Sequence, residues 1–272
     1  MFLRPDGGGC TGIMVNNTAN DGTPYFYLAN HCYAPNENQW VFYFNYDSPT
    51  CVGDTGQTQE TIVGASFRAA EHYSDFALVE LFNAPHLVYD VDYAGWDRSN
   101  AVPTTAATIM HPAFDVKKIT IDYGPVIPSG TGTPLGSNTP TWITSWDTGI
   151  VETGASGAPI LDQNKRLIGN LTEAWGDCTN LGGVVSSKFS YQWDFGPTIN
   201  HRLAELLDPL NTGDLIIDPF IGGLVPSSIT LPLNVFLTGP LDTSSMLMSD
   251  QLRVANYVPL TEPYSNLGFN HV

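Results

Sequence analysis

The chain has 272 residues, enough for one large domain or two, and its 27 acidic residues against 10 basic ones give a formal net charge of −17. This balance disfavours nucleic acid as a partner, because phosphates are bound by Lys and Arg. No apolar stretch approaches the roughly 18 residues that a membrane helix needs, so no membrane partner is predicted. Residues 1–6 lack the apolar region of a signal peptide, which leaves either a cytoplasmic chain or one whose true beginning has been cut away.

Turn-forming residues are abundant, with 26 Gly and 20 Pro, and short β-branched and aromatic runs lie between them. This pattern predicts an all-β fold, with strand spacing typical of a sandwich or a barrel. A loop rich in Gly, Pro, Ser and Thr is predicted at 128–140. In chain order, the predicted strands are 11–16, 23–29, 40–44, 60–67, 75–81, 108–110, 118–123, one at Trp142, 158–161, 167–171 and 183–191.

The C-terminal part contains the one helix that the pattern predicts within the main domain. Pro197 suits a first helical position, apolar residues recur with helical spacing up to Leu207, and Pro209 ends the pattern. A linker is predicted at 214–227, followed by a strand at 229–237 and a short helix at 245–256. This tail is too small for its own core, so it packs on the main domain or begins a truncated one.

The four cysteines are Cys10, Cys32, Cys51 and Cys178, and none stands in a Cys-x-x-Cys pair or a His/Cys cluster. No metal site is therefore predicted. Disulfides are favoured instead, and with them an oxidising compartment. The sequence leaves all three pairings open, although Cys10 begins the first predicted strand and Cys32 follows the second, so that a bond between them is geometrically feasible.

A glycine-flanked serine, Ser156, precedes an apolar strand in the segment TGASGAPIL at 153–161. Gly154 can adopt backbone angles closed to other residues, so the amides of Gly154 and Ser156 can point at one spot and form an oxyanion hole. The alternative is an ordinary turn between two strands, since Gly, Ser and Pro are common turn formers.

A serine nucleophile needs a base, and His31 at the end of an apolar strand is the candidate. Asp75, at the head of another strand, is the candidate carboxylate that orients the imidazole. Each residue taken alone has a simpler interpretation. His31 would be a core or surface histidine whose hydrogen bonds are satisfied, and Asp75 would be a cap at the end of a strand. Their order, His31, Asp75, Ser156, is that of the chymotrypsin class, and together they favour an active serine.

A series of short motifs makes the resemblance to a family specific. It comprises CTG at 10–12, NNTAND at 16–21, YF at 25–26, ANHC at 29–32, SDFAL at 74–78, AGWDR at 94–98, HP at 111–112, KKI at 117–119 and GASGAP at 154–159. The series, spanning residues 10–218, resembles the bacterial lysyl endopeptidase group of trypsin-like serine proteases. The resemblance implies two antiparallel β-barrels with a C-terminal helix, a triad of His31, Asp75 and Ser156, and a disulfide between Cys10 and Cys32.

The resemblance also implies that the chain is a fragment. Family members carry an N-terminal stretch with cysteines that pair forward to the positions of Cys51 and Cys178, so a bond between these two is not what the family predicts. A protease domain is expected at 1–218 with its N-terminal portion missing, and the start of a truncated C-terminal module at 228–272. Ala155 stands where many animal trypsin-like enzymes have an Asp that pairs with a newly cut N-terminus, which disfavours that mode of activation.

The substrate pocket is expected to differ from that of a strict lysyl endopeptidase. A buried lysine would need a carboxylate, because an unpaired buried charge is costly. Ile150 stands at the trypsin position for this acid, and the segment 183–187 around Val184 offers none at the family's position. An apolar or small pocket is predicted, lined also by Thr172, Glu173 and Ala174.

Two further expectations concern the residues around that pocket. By analogy with trypsins, the Thr172 hydroxyl is expected near Asp75. Glu173 and Asp177 are expected to favour basic residues at outer subsites.

The sequence therefore predicts a secreted serine endopeptidase that acts on protein or peptide substrates through an acyl-enzyme and needs no cofactor. Two rivals remain open. One is a catalytically inactive protease homologue that acts as a protein-binding module, and the other is an esterase that uses the same triad.

Overall fold

A computed structural model describes residues 1–50, 53, 55–130, 139–177 and 179–221. The strands in its N-terminal part are β1 Phe2–Leu3, β2 Gly9–Cys10, β3 Ile13–Met14, β4 Tyr25–Leu28, β5 Val41–Tyr43, β6 Thr61–Val63, β7 Ala65–Glu71 and β8 Phe76–Leu81. The later strands are β9 Trp96–Asp97, β10 Ala106–Met110, β11 Lys118–Asp122, β12 Ile127–Ser129, β13 Thr141–Ser145, β14 Pro159–Asp162, β15 Leu167–Asp177, β16 Asn180–Lys188 and β17 Ile216–Ile217. The helices are α1 Phe189–Asp194 and α2 Ala204–Leu207, with 3₁₀ turns at Asn30–Cys32, Glu37–Gln39, Leu87–Tyr89, Pro112–Phe114 and Ile199–His201.

The first barrel is built from two antiparallel four-stranded sheets, in the orders β2-β1-β5-β6 and β3-β4-β8-β7. Inward-facing aromatic residues fill the space between them: the ring of Phe2 stacks on Trp40 at 4.7 Å and Phe26 meets Phe42 edge-to-face at 4.9 Å. These four side chains are at most 3% exposed. Because each aromatic side chain buries roughly 150–250 Å², this cluster supplies much of the barrel's hydrophobic stabilisation.

The second barrel is formed by a larger antiparallel sheet in the order β11-β10-β14-β15-β16-β13-β12. Its core gathers Trp142, Ile160, Leu171 and Val184, all at most 2% exposed. The register pairs Trp142 with Ser186 and Ile160 with Gly169 across neighbouring strands. The turn that carries Ser156 leads directly into β14, so this barrel positions it.

A third cluster joins the C-terminal helices to both barrels. Trp96 packs against Phe189 and Trp193 of α1, and the same cluster includes Tyr27 of β4 and Leu207 of α2. Burial at positions 189, 192 and 193 follows helical spacing, which explains why this short segment folds as a helix.

The all-β prediction is confirmed, but several element boundaries were wrong. The strand predicted at 183–191 ends at Lys188 and is followed by α1. The strand predicted at 60–67 is broken at Gly64, whose φ is +89°. The helix predicted from Pro197 to Leu207 is a 3₁₀ turn and the one-turn α2, separated by an extended Arg202.

The segment predicted as a linker from 214 begins with ordered structure. Ile216–Ile217 pairs with β9, and Phe220 bridges to Tyr93. The strand and helix predicted at 229–237 and 245–256 lie outside the described residues, as do Cys51 and Cys178. The disulfide between Cys10 and Cys32 is present, which confirms that pairing.

Candidate active site

His31 lies in the 3₁₀ turn Asn30–Cys32, directly after β4 and beside the disulfide. Its side chain is 40% exposed, so the imidazole can reach a substrate. Asp75 binds one edge of the ring: Nδ1 lies 2.9 Å from Oδ2 and 3.0 Å from Oδ1. The main-chain N–H of His31 also donates to Oδ1, at 2.9 Å. The structure thus brings two of the three predicted triad residues into hydrogen-bond contact.

Asp75 is 1% exposed and immediately precedes β8. Its φ of 47° lies in the left-handed region, which Asp tolerates better than most residues. The buried carboxylate accepts only from His31 among the described residues. A carboxylate on Nδ1 fixes the imidazole in the tautomer that leaves Nε2 free to accept a proton.

A buried polar network holds the main chain on either side of this carboxylate. Asn170 Nδ2 donates to the Asp75 carbonyl at 2.8 Å, and Gln192 Nε2 donates to the Ser74 carbonyl at 2.9 Å. The Tyr27 hydroxyl lies 2.7 Å from Asn170 Oδ1 and also contacts Gln192 Oε1. Burial raises the pKa of this hydroxyl well above its ordinary value, so it remains protonated.

Asn170 and Gln192 were not predicted from the sequence as parts of the site. Asn170 and Gln192 are fully buried amides, each with an apolar neighbour in sequence at Leu171 and Trp193. Buried amides are satisfied by hydrogen bonds. Their partners, however, come from distant strands, which no local pattern identifies.

Ser156 is half-buried on a turn between two glycines in the left-handed region, Gly154 with φ of +96° and Gly157 with φ of +80°. Gly157 sits against the first barrel so closely that a Cβ there would lie 2.6 Å from the Thr11 carbonyl and 2.8 Å from the Ala29 nitrogen. Ala29 is two residues before His31. The serine turn is therefore seated against the strand end that carries the histidine.

No hydrogen bond from the Ser156 hydroxyl occurs among the described residues. Hydrogen bonds between a nucleophile and its base are often long in enzymes without substrate. The hydroxyl is thus available, while the backbone around it is fixed: the Ser156 carbonyl accepts from Thr11 N at 3.1 Å.

The amides of the turn divide into two groups. Ala155 N donates to the Glu152 carbonyl, and Gly157 N donates to Leu171 on β15. Gly154 N and Ser156 N donate to no carbonyl within the described ranges. These two unpaired donors are the pair predicted from the sequence, and amides of this kind can stabilise an oxyanion.

His111 lies behind the turn and is almost fully buried. Its Nδ1 lies 2.9 Å from the Asp115 carbonyl, and its ring stacks on Tyr46. Burial, with smaller contributions from the N-terminal ammonium of Met1 and from Lys117, lowers the pKa of this imidazole to about 3. A neutral ring with Nδ1–H donating to a carbonyl is a structural element, in contrast to the exposed ring of His31.

Four of the five predicted pocket residues lie on two neighbouring strands. Thr172, Glu173 and Ala174 follow each other on β15, and Ala174 pairs directly with Val184 on β16. Ile150 is half-buried in the loop that leads to the serine turn. Val184 is fully buried in the apolar core of the second barrel, whereas the Glu173 side chain is exposed.

The expected contact from Thr172 to Asp75 is not found among the hydrogen bonds of the described residues. Thr172 Oγ1 lies 3.3 Å from Ser187 Oγ instead. Both hydroxyls sit on neighbouring strands, β15 and β16, and the support for Asp75 comes from Asn170, two residues earlier.

Within the described ranges, no group of three or more His, Cys, Asp or Glu side chains could hold a metal ion. Nor does any described helix combine the length and apolar character needed to cross a membrane.

Comparisons with known proteins identify the family. A family model described as lysyl endopeptidase, C-terminal domain, matches residues 3–190. The lysyl endopeptidase of Pseudomonas aeruginosa is 27% identical over 205 residues, which cover 70% of this chain and 42% of that protein. The chain therefore spans less than half the length of this curated relative.

Solved structures were compared with the fold of this chain. The chain is similar to an atomic-resolution structure of HBP, with a TM-score of 0.50 at 14% identity over 70% of this chain and 84% of that one. For the thermostable serine protease AL20 from an extremophilic microorganism, the TM-score is 0.48 at 12% identity, with 69% and 88% covered. Such low identities bear on the fold alone, and the predicted trypsin-like double barrel is confirmed.

Proposed function

Since this chain belongs to the lysyl endopeptidase family, we propose that it is a serine endopeptidase that hydrolyses peptide bonds through an acyl-enzyme on Ser156. The observation that carries the proposal is the buried Asp75 carboxylate bound to His31, next to a glycine-flanked serine turn. Structural histidines are common, but an exposed imidazole whose Nδ1 is held by a 1% exposed carboxylate is suited to general-base catalysis.

In the proposed acylation step, Ser156 Oγ attacks the carbonyl carbon of the scissile bond while His31 Nε2 takes the hydroxyl proton. The carbonyl oxygen becomes an oxyanion, which the amides of Gly154 and Ser156 stabilise. Asp75 stabilises the imidazolium without taking its proton. His31 then protonates the departing amine, the C–N bond breaks, and the acyl group remains on Ser156.

In the second step, a water molecule replaces the amine. His31 takes one proton from it, the oxygen attacks the acyl carbon, and the proton then passes to Ser156 Oγ as the ester bond breaks. No residue beyond these three and the two amides needs to change its bonding, so the proposal involves no cofactor or metal.

We propose that the primary pocket takes small or apolar side chains rather than strictly lysine. Its predicted lining pairs Ala174 with the fully buried Val184, and no carboxylate lies on that part of β16. An ammonium group placed there would be desolvated without a partner, which costs several kcal/mol. Glu173 is exposed to solvent at the rim, where it favours basic residues at outer subsites.

We further propose that the protein is secreted and that its protease domain ends near residue 218, with a separate module at 228–272. The disulfide between Cys10 and Cys32 supports an oxidising compartment. The pairing of Ile216–Ile217 with β9 supports a domain boundary after that strand.

The test is digestion of a proteome-derived peptide library by the full chain, with Ser156→Ala as the control and the cut sites read by mass spectrometry. We expect cleavage by the wild-type protein after small or apolar residues and none by the variant. Cleavage confined to Lys would contradict the pocket argument alone. A wild-type protein that cuts nothing would favour the inactive homologue, and one that hydrolyses ester but not peptide substrates would favour the esterase.

A further inference from the structure

Thr11 is a buried residue between the disulfide cysteine Cys10 and β3, 2% exposed to solvent. It belongs to the first barrel, yet all of its hydrogen bonds among the described residues reach the second. Its N–H donates to the Ser156 carbonyl at 3.1 Å, and its Oγ1 donates to the Gly154 carbonyl at 2.9 Å. The same Oγ1 accepts from His111 N at 3.0 Å.

These contacts hold both ends of the serine turn. The peptide unit that contains the Ser156 amide lies between the two carbonyls that Thr11 fixes. A rotation of that unit, which would turn the Ser156 N–H away from the substrate, is resisted on both sides. The Gly154 N–H is attached to the same fixed residue, so Thr11 contributes to the direction of both predicted oxyanion donors.

Main-chain hydrogen bonds hold part of the turn: Ala158 N donates to the Ala155 carbonyl and Ala113 N to the Thr153 carbonyl, besides the two bonds described above. Gly154 and Gly157 have no side chains, and Ala155 is fully buried and brings no polar atom. Both glycines adopt left-handed backbone angles, which a free chain would leave readily. Hydrogen bonds from outside the turn therefore help to maintain its conformation, and the Thr11 hydroxyl is the side-chain group that supplies one to Gly154.

Thr11 also connects the turn to the base. Its neighbour Cys10 is bonded to Cys32, which adjoins His31. One short segment thus fixes the serine turn through hydrogen bonds and the histidine through a covalent link, so nucleophile, base and oxyanion donors share one frame.

We propose that Thr11 is a positioning residue for the oxyanion hole, acting through the carbonyls of Gly154 and Ser156. This inference rests on the proposed endopeptidase function. Because the hydroxyl acts on donors that matter most in the transition state, its loss lowers kcat and leaves KM unchanged.

The experiment compares three variants of the full chain. Thr11→Val removes the hydroxyl at nearly constant shape, and Thr11→Ser restores it. Thr108→Val is the matched control, because the Thr108 hydroxyl is fully buried and has no hydrogen-bond partner among the described residues. kcat and KM are measured on a peptide substrate, and the concentration of active sites is determined by titration with a fluorophosphonate. Hydrogen exchange of the amides in 153–158 is followed by mass spectrometry.

Loss of one oxyanion donor costs about 10²–10³ in kcat, so for a displaced donor we expect a loss of about 10- to 100-fold in Thr11→Val. KM and the shape of the pH–rate profile are expected to stay unchanged, because the contact between His31 and Asp75 is untouched. Exchange in 153–158 is expected to rise in Thr11→Val alone, while Thr11→Ser and Thr108→Val behave like the wild type.

A kcat for Thr11→Val equal to that of Thr108→Val would overturn the inference, as would an equal loss in Thr11→Ser. A wild-type protein without turnover would instead contradict the proposed function. In that case the exchange data decide alone: unchanged exchange of 153–158 in Thr11→Val overturns the role of Thr11, and faster exchange supports it.

Discussion

Replacement of Asp75 by Asn changes one oxygen of the candidate site into an NH₂ group with little change in shape. In the wild-type structure, Oδ1 accepts from the main-chain N–H of His31, and both carboxylate oxygens lie within 3.0 Å of His31 Nδ1. The main-chain N–H keeps its direction whatever the side chain does. The amide oxygen of Asn must therefore take the Oδ1 position to satisfy it, which turns the new NH₂ group toward the ring.

That NH₂ group donates, so Nδ1 has to accept and the imidazole proton moves to Nε2. An imidazole with its proton on Nε2 cannot take the proton of Ser156. In serine proteases this substitution lowers kcat by about 10⁴ because of the wrong tautomer, which corresponds to about 5 kcal/mol in the barrier. We expect a loss of this size for Asp75→Asn at pH 7.

The assay is kcat on a peptide substrate together with the melting temperature. Asp162→Asn is the matched control, because Asp162 is also a buried carboxylate whose Oδ1 accepts from main-chain amides, those of Asn164 and Arg166. It lies on β14, in none of the contacts of the candidate site. We expect Asp162→Asn to retain the wild-type kcat. If Asp75→Asn retained more than about a tenth of the wild-type kcat, the tautomer argument would be refuted.

Three other expectations concern stability. In Gly157→Ala, the new Cβ would lie 2.6 Å from a main-chain oxygen, so we expect losses of both activity and melting temperature that Gly213→Ala, with a similar φ and open space around it, does not show. Burial holds the pKa of His111 at about 3, below its value in the unfolded chain. The neutral imidazole therefore stabilises the folded protein fully above pH 6.5, and this stabilisation falls by about 1.4 kcal/mol per pH unit as the pH is lowered toward 3. His111→Gln should therefore flatten the acid limb of the unfolding free energy, and an unchanged slope in denaturant titrations between pH 4 and 6.5 would contradict this. Removal of the disulfide by Cys10→Ser and Cys32→Ser together should cost about 3 kcal/mol for a loop of sequence separation 22, and an unchanged denaturation midpoint would argue against it.

Local patterns in the sequence were sufficient to predict many of the strands. Strands such as β4 and β8 show in their apolar runs, and the candidate base and carboxylate were found because each adjoins the end of such a run. The helix at Phe189–Asp194 was missed because its aromatic residues also suit a strand, although burial of Phe189, Gln192 and Trp193 follows helical spacing. The helix predicted up to Leu207 was wrong because Leu203 N bonds the Gln192 carbonyl, a tertiary contact that interrupts the helix.

Contacts between distant segments explain what the sequence alone did not reveal. The two-residue strand at Ile216–Ile217 exists only through its pairing with β9, more than a hundred residues earlier in the chain. The support of Asp75 by Asn170 likewise joins β15 to β8, and no spacing rule points to it. The role proposed for Thr11 depends on hydrogen bonds across the two barrels. Such contacts are products of the assembled fold, so they became visible only with the structure.

Covalent labelling shows whether His31 activates the Ser156 hydroxyl, the step on which the proposed acyl-enzyme depends. The full chain is treated with a fluorophosphonate at pH 7, and the site of the adduct is located by peptide mass spectrometry. We expect a single adduct on Ser156, formed rapidly by the wild-type protein and abolished in His31→Ala. An unlabelled Ser156 in a folded wild-type protein, or labelling that persists at the same rate without His31, would rule out activation of the serine by His31.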